Sequence, residues 1–329
     1  MNILITGGAG YIGSHTTKIL ARAGHTTVVY DDLSRGNKSA VLWSPLVEAN
    51  LSDTNALTNA ILEYKIEAIL HFAAYAYVGE SMGSPGLYFA NNSINSIRMI
   101  ETARAAGVRY IVFSSTCATY GDPVRLPIDE THPQAPVNPY GESKLLFEKV
   151  LRWYGEIYGI KWIALRYFNA AGADPDVEIG ESHNPETHLI PLIIQAAMKP
   201  DRPVSVFGTD YETPDGTAIR DYIHVNDLGD AHVQALDYLV NGGTSGAFNL
   251  GTGTGHSVQS VIDTVYERTG LRPAVKYDHR RSGDPAKLVA DNTRATQLLG
   301  WQPKLSTLPS IIETAYQWFS KTGFPAQTQ

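Results

Sequence analysis

The sequence predicts an α/β protein, a doubly wound parallel sheet of Rossmann type with a smaller C-terminal α/β lobe, and three observations carry that expectation. Short apolar runs alternate with amphipathic stretches through the first half of the chain. A glycine-spaced segment, Gly7, Gly10 and Gly13, directly follows the first apolar run, and an acid, Asp31, ends the second. Uninterrupted apolar runs read as strands buried on both faces, and helices between parallel strands give right-handed crossovers.

In chain order, the apolar runs 3–5, 28–30, 68–72, 110–113 and 162–165 are expected as strands. The segments 14–23, 53–64, 94–106 and 139–158 have helical length and spacing. After about residue 173 the pattern loosens, and 180–187, rich in Gly, His, Pro and Glu, reads as a long loop of the kind that often carries function. Shorter strands are expected at 204–207, 247–250 and 274–277, mixed with helices. These divide the chain into residues 1–173, a dinucleotide-binding domain, and 174–329, a substrate lobe from which segments can return to the first, with the substrate cleft between them.

Bulk properties narrow the function. A chain of 329 residues with 43% hydrophobic content can bury a substantial core. A formal net charge of -7 argues against nucleic acid or an anionic membrane as partner and leaves a small anionic ligand. The single cysteine, Cys117, excludes an internal disulfide and fits a reducing, cytoplasmic compartment. No Cys/His cluster has zinc spacing, so no metal is expected, and no apolar stretch approaches membrane-spanning length.

Gly7, Gly10 and Gly13 let a backbone turn tightly between strand and helix and approach a pyrophosphate at the positive helix N-terminus. Asp31 lies 18 residues beyond Gly13, where a carboxylate accepts both adenosine-ribose hydroxyls and repels a 2′-phosphate. NAD is therefore expected over NADP. Arg35 argues the other way only if its charge faces the ribose, and a solvated loop charge is the expected state. Tyr140 and Lys144, four residues apart on one helical face, supply a phenol beside an ammonium, a pair that favours phenolate and makes a base. Ser114 and Thr116 follow the 110–113 strand at the carboxyl edge where ligands gather, so Thr116 can share a substrate hydroxyl with Tyr140.

With these motifs, and with 71–74 (HFAA), 78–81 (VGES), 166–169 (RYFN), 216–225 (GTAIRDYIHV) and 281–284 (RSGD), the chain resembles the extended short-chain dehydrogenase/reductase family over nearly its whole length. Within that family the resemblance implies reversible inversion at carbon 4 of a UDP-sugar, UDP-glucose and UDP-galactose first, through a 4-keto intermediate. It implies NAD contacts from Tyr11, Ile12, Asn50, Leu51, Phe72, Ala73, Ala74, Asn91, Ser114 and Phe168 besides the glycines, Asp31, Tyr140 and Lys144. Around the UDP-sugar it implies Asn169, His188, Leu189, Phe207, Arg220, Arg281, Asp284 and Leu288, with the two arginines on phosphate, Asp284 on ribose and Leu288 beside the sugar. A homodimer through two helices of the first domain is implied as well.

The chain departs from the family at Asn50, where relatives often have an acid, and at Ala76, where some have a cofactor-touching lysine; both point to looser cofactor retention. Other UDP-sugars, N-acetylhexosamine, pentose or hexuronate, present an equivalent 4-hydroxyl. A dehydratase shares the 4-keto chemistry but generally carries Asp-Glu after the threonine, where this chain has Cys117 and Ala118. An NAD-bound regulator without turnover typically lacks the tyrosine and lysine that this chain keeps.

Overall fold

The computed structural model describes residues 1–281 and 284–325; Ser282 and Gly283 of the 281–284 motif lie outside them. β1 (Asn2–Thr6), β2 (Thr26–Asp31), β3 (Leu46–Glu48), β4 (Ala68–His71), β5 (Tyr110–Thr116) and β6 (Lys161–Tyr167) form one sheet with the Gly246–Leu250 strand. The spatial order is β3-β2-β1-β4-β5-β6 and then Gly246–Leu250, with every pairing parallel. The order reverses between β1 and β4, which opens the crevice where such sheets bind ligands. All carboxyl ends of these strands, Thr6, Asp31, His71, Thr116 and Tyr167 among them, meet at that edge.

The intervening helices are α1 (Tyr11–Arg22), α2 (Thr54–Glu63), the short α3 (Val78–Gly83) and α4 (Pro85–Tyr88), α5 (Asn95–Ala105) and α6 (Pro139–Tyr158). One face of the sheet buries Leu4, Val28, Ile69 and Ile111 against Leu57, Ile100, Phe147 and Leu151 of α2, α5 and α6. The other buries Ile3, Ile5, Val112 and Leu165 against Leu20 of α1 and Leu228, Ala231 and Leu236, residues of the Val225–Val240 helix. Side chains of both β faces are apolar because both are covered, which is why the sequence showed runs and not alternation.

Two features differ from expectation. The 247–250 run is an edge strand of the large sheet, not of the second lobe: Phe248 and Leu250 enter the same cluster as Ile163 and Leu165. Its preceding helix, Val225–Val240, brings the chain back by lying on α1. β3 gave no periodic signal because it has three residues and one sheet neighbour. In the second lobe, α7 (Leu189–Met198) packs Ile190, Ile193 and Ile194 on Val261 and Val265 of Val258–Thr269 and on Ile311 and Phe319 of Leu308–Thr322. Among the described residues no helix is long and apolar enough to cross a membrane.

Candidate active site

A cavity of about 490 Å³ runs along the carboxyl edge of the sheet and into the junction with the second lobe. At one end are Gly7, Gly10, Tyr11, Ile12 and Gly13. α1 starts at Gly10 without any side-chain cap, so the first-turn N–H groups are left to a ligand. A Cβ on Gly13 would stand inside van der Waals contact of the Gly7 carbonyl oxygen and of Gly8 Cα, so the helix can lie this close to the loop only with glycine there. Such a cradle, with its uncapped helix N-terminus, fits a dinucleotide pyrophosphate.

Asp31 is 8% exposed and accepts from the Ala9 N–H at 3.0 Å and the Leu33 N–H at 2.9 Å. Burial raises its pKa, while those two donors pull it down. The carboxylate thus first ties the glycine loop to β2, and it also lines the cavity. Asn50 and Leu51 line the same wall. Asn50 donates to Asp32 Oδ2 at 2.5 Å. An acid at position 50 would set two carboxylates against each other, so Asn50 goes with Asp32 in this chain.

Arg35 is not the solvated loop charge expected from sequence. Its guanidinium pairs with Glu80 at 2.7 Å and lies 5.0 Å from the Tyr75 ring centroid and 5.2 Å from that of Tyr77, in the cavity wall. Its charge is committed to Glu80, which leaves Asp31 to set the electrostatics of the ribose end.

The candidate reacting centre is built where α6 meets β5. Asn138 caps α6 by accepting from the Gly141 N–H at 2.8 Å, and Pro139 at the first position starts the helix one residue before Tyr140. A Cβ on Gly141 would enter the space of the Ala118 carbonyl, so glycine lets α6 press against the turn that follows Thr116. Beneath, the buried Arg166–Glu148 pair, 2.5 Å apart, and the Ser115 hydroxyl, 2.5 Å from Glu148, bind α6 to β5 and β6. Thr116 and Tyr140 both line the cavity, the Thr116 hydroxyl favouring the ionised phenol, and the Lys144 ammonium donates to the Ser114 carbonyl at 2.9 Å. Its Nζ lies 5.9 Å from the Tyr140 ring centroid.

Sequence alone led to the expectation that lysine would bring the phenol below its usual pKa. In the protein burial reverses that direction: it pushes Tyr140 up to about 12, against the downward pull of the Thr116 hydroxyl, and pushes Lys144 down to about 7. Each group resists carrying charge alone. A unit charge about 6 Å away is worth roughly 3 kcal/mol at an effective dielectric of ~20, or about two pKa units, which narrows the gap between the two groups without closing it, so the proton rests mainly on Tyr140 and phenolate with ammonium is the minor form. Between the two values the pair holds one exchangeable proton, and the arrangement with that proton on lysine is the one able to accept a proton at the phenol oxygen.

Phe72, Ala73, Ala74 and Phe168 line the cavity around this centre. Asn91 also lines it, from a π-helical segment, Phe89–Ile94, where it caps nothing and donates to Asn92 at 3.1 Å. Asn92 is a buried residue that sequence reading missed; it bonds the Tyr75 backbone on both sides and Ser143 Oγ, joining this segment to α6. Its neighbour in sequence gave no reason to separate the two roles.

On the second-lobe side, Asn169, His188, Arg220, Asp284 and Leu288 line the cavity. Arg220 donates to the Ile219 and Pro285 carbonyls at 2.9 Å and lies 3.3 Å from Asp284, which fixes its guanidinium in the wall. Leu189, Phe207 and Arg281 do not line it. Leu189 opens α7 and packs on the second-lobe core, and Arg281, 62% exposed, stacks 4.8 Å from the Phe207 ring centroid and reaches Asp284 at 3.0 Å, forming a rim outside the cavity. Tyr75, Tyr77, Glu181 and His183 also line it. Apart from the length of their loop, no signal marked the last two.

The chain matches the family described as NAD dependent epimerase/dehydratase over residues 3–251. It is 51% identical over 321 residues to a UDP-glucose 4-epimerase of Rhizobium meliloti, covering 97% of each chain. The crystal structure of UDP-glucose 4-epimerase from Brucella ovis in complex with NAD superposes with a TM-score of 0.95 at 48% identity, over 97% of this chain and 98% of that one. The UDP-Glc/GlcNAc 4-epimerase of Campylobacter jejuni gives 0.85 at 42%, over 97% and 99%.

Proposed function

The chain belongs to the NAD dependent epimerase/dehydratase family, and from that membership together with the buried Tyr140–Lys144 pair we propose that it interconverts UDP-glucose and UDP-galactose at carbon 4. NAD, when bound, accepts the hydride from carbon 4 and returns it. Gly7, Gly10, Gly13 and the free N–H groups of α1 hold its pyrophosphate, and Asp31 takes the adenosine ribose. Ala9 and Leu33 keep that carboxylate aimed.

Tyr140 removes the proton of the sugar 4-hydroxyl, Thr116 orients that hydroxyl, and Lys144 holds the compensating charge while Ser114 fixes its ammonium. Tyr140 returns the proton to the 4-oxygen as the inverted sugar forms, so that the phenol is restored. Inversion needs the sugar to turn while the diphosphate stays anchored, a task for Arg220, with Arg281 at the rim, and for Asp284 on the uridine ribose. Cys117 and Ala118, which follow Thr116, offer no carboxylate for removing water, so the 4-keto sugar is reduced again and not dehydrated. Burial pushes the Cys117 thiol up to about 12, which keeps it protonated.

The proposal extends to assembly and location. α6 leaves Leu146, Trp153 and Ile157 exposed, Trp153 by 53%, an apolar face suited to pairing with a second copy of the chain. A free Cys117 fits a reducing cytoplasm.

The sugar-side wall carries the substrate range. Leu288 lies in a two-residue strand beside Arg220 and packs on Phe168, Tyr120 and Ile128 while lining the cavity, so it is both a packing residue and part of the wall. With leucine there, UDP-glucose and UDP-galactose are expected to turn over well and UDP-N-acetylglucosamine measurably but more slowly. Leu288→Tyr is expected to suppress the N-acetylated substrate by roughly tenfold relative to the plain hexose through steric exclusion. Comparing kcat/KM for both sugars in the two proteins decides it: an equal loss for both identifies a packing defect instead.

A further inference from the structure

The loop that walls the cavity beside Tyr11 and Tyr77 brings together four side chains the reaction does not use as acids or bases. Glu181, His183, Glu186 and His188 place one donor atom each within 4.8 Å of one another. The Glu181 and Glu186 side chains are 4% and 6% exposed. Among the described residues no lysine or arginine forms a salt bridge with either carboxylate; the ion pairs that both make are with His183 and His188. The two buried carboxylates are thus paired with the two imidazoles, and Glu186 accepts from backbone N–H groups as well.

The spacing is that of a coordination shell. Glu181 Oε1 is 3.0 Å from His183 Nδ1 and 2.7 Å from His188 Nδ1, while Glu186 stands 3.1 Å from His188 Nδ1 and 3.7 Å from His183 Nδ1. Adjacent donors in a tetrahedron with bonds of about 2.1 Å are about 3.4 Å apart, so these imidazole–carboxylate separations need to change by no more than about 0.7 Å to admit an ion. Both imidazoles present the same nitrogen. The Thr187 and His188 N–H groups donate to Glu186 Oε1 at 2.8 Å, which orients that carboxylate and leaves Oε2 toward His183, the support expected for a metal-ligating acid.

We propose that Glu181, His183, Glu186 and His188 bind a divalent first-row transition metal ion, with zinc as the reference ion, that fastens the 181–188 loop as the cavity wall. Two imidazoles and two carboxylates suit zinc and its neighbours and disfavour magnesium or calcium, which take oxygen donors. The ion neutralises both carboxylates and fixes the entry to α7. A second acidic group, Asp174, Asp176 and Glu178, is already occupied by Lys18 and Arg22 and serves as internal control.

The test titrates tag-free full-length protein with zinc chloride, reading bound metal by equilibrium dialysis and the thermal unfolding midpoint alongside. The wild type is expected to bind about one zinc ion per chain and to unfold at higher temperature with it. His183→Gln and Glu186→Gln are each expected to lower affinity at least tenfold and to abolish the zinc-dependent shift; Asp176→Asn is expected to keep both. Should either cluster variant fail to fold, the same comparison is made with Glu181→Gln. Absence of saturable zinc binding in the wild type, or binding that survives every cluster substitution, overturns the proposal and leaves the four residues as an ion-paired network.

Discussion

Tyr140→Phe is expected to lower turnover of UDP-galactose by at least two orders of magnitude, the usual contribution of a positioned acid–base group, while NAD and UDP still bind. The phenyl ring keeps the contacts of α6 and loses only the oxygen that exchanges the proton. The pH profile of the wild type adds a sign. Below about 7 Lys144 is protonated and Tyr140 keeps its proton as well, so the base is absent; above it one proton leaves the pair and the phenolate can form. Activity is therefore expected to rise with pH through a limb no higher than about 7 and then to stay level. Lys144→Met, which removes the charge that shares the burden, is expected to move the limb upward. Retention of more than a tenth of wild-type turnover in Tyr140→Phe removes this residue from the role.

Gly13→Val is expected to abolish stable NAD retention and to destabilise the fold by about 1–3 kcal/mol, the range for overpacking a filled site. The first atom added already meets the Gly7 carbonyl and Gly8 Cα, which belong to backbone and cannot rotate aside. α1 must lift from the loop, carrying its N-terminal N–H groups away from the pyrophosphate position. Urea unfolding and NAD content of the purified protein measure the two effects. A variant with a wild-type unfolding midpoint and full NAD content shows that the cradle is not where the cofactor is held.

Local spacing is where the sequence was most readable. Gly7, Gly10, Gly13 and Asp31 depend on one strand–turn–helix unit and its neighbour, and Tyr140 and Lys144 on one helix, so each group could be read from short stretches of chain. Residues whose meaning comes from distant partners were not legible. Arg35 looked like a solvated charge until the fold brought Glu80 and two tyrosines to it. Asn50 showed no partner in the sequence, and the fold brings Asp32 to it. The 247–250 strand read like its neighbours in sequence, and only the lie of the Val225–Val240 helix on α1 returns it to the large sheet. Burial, which sets the direction of the Tyr140 and Lys144 shifts, belongs to the closed site and not to the Tyr-x-x-x-Lys spacing.

The central claim is that hydride leaves carbon 4 and returns to that same carbon within one closed site. UDP-galactose carrying deuterium at carbon 4 of the sugar, incubated with the purified protein in ordinary water and analysed by NMR and mass spectrometry, tests it directly. UDP-glucose that keeps its deuterium at carbon 4 is expected. Product with hydrogen from solvent at that position would contradict it.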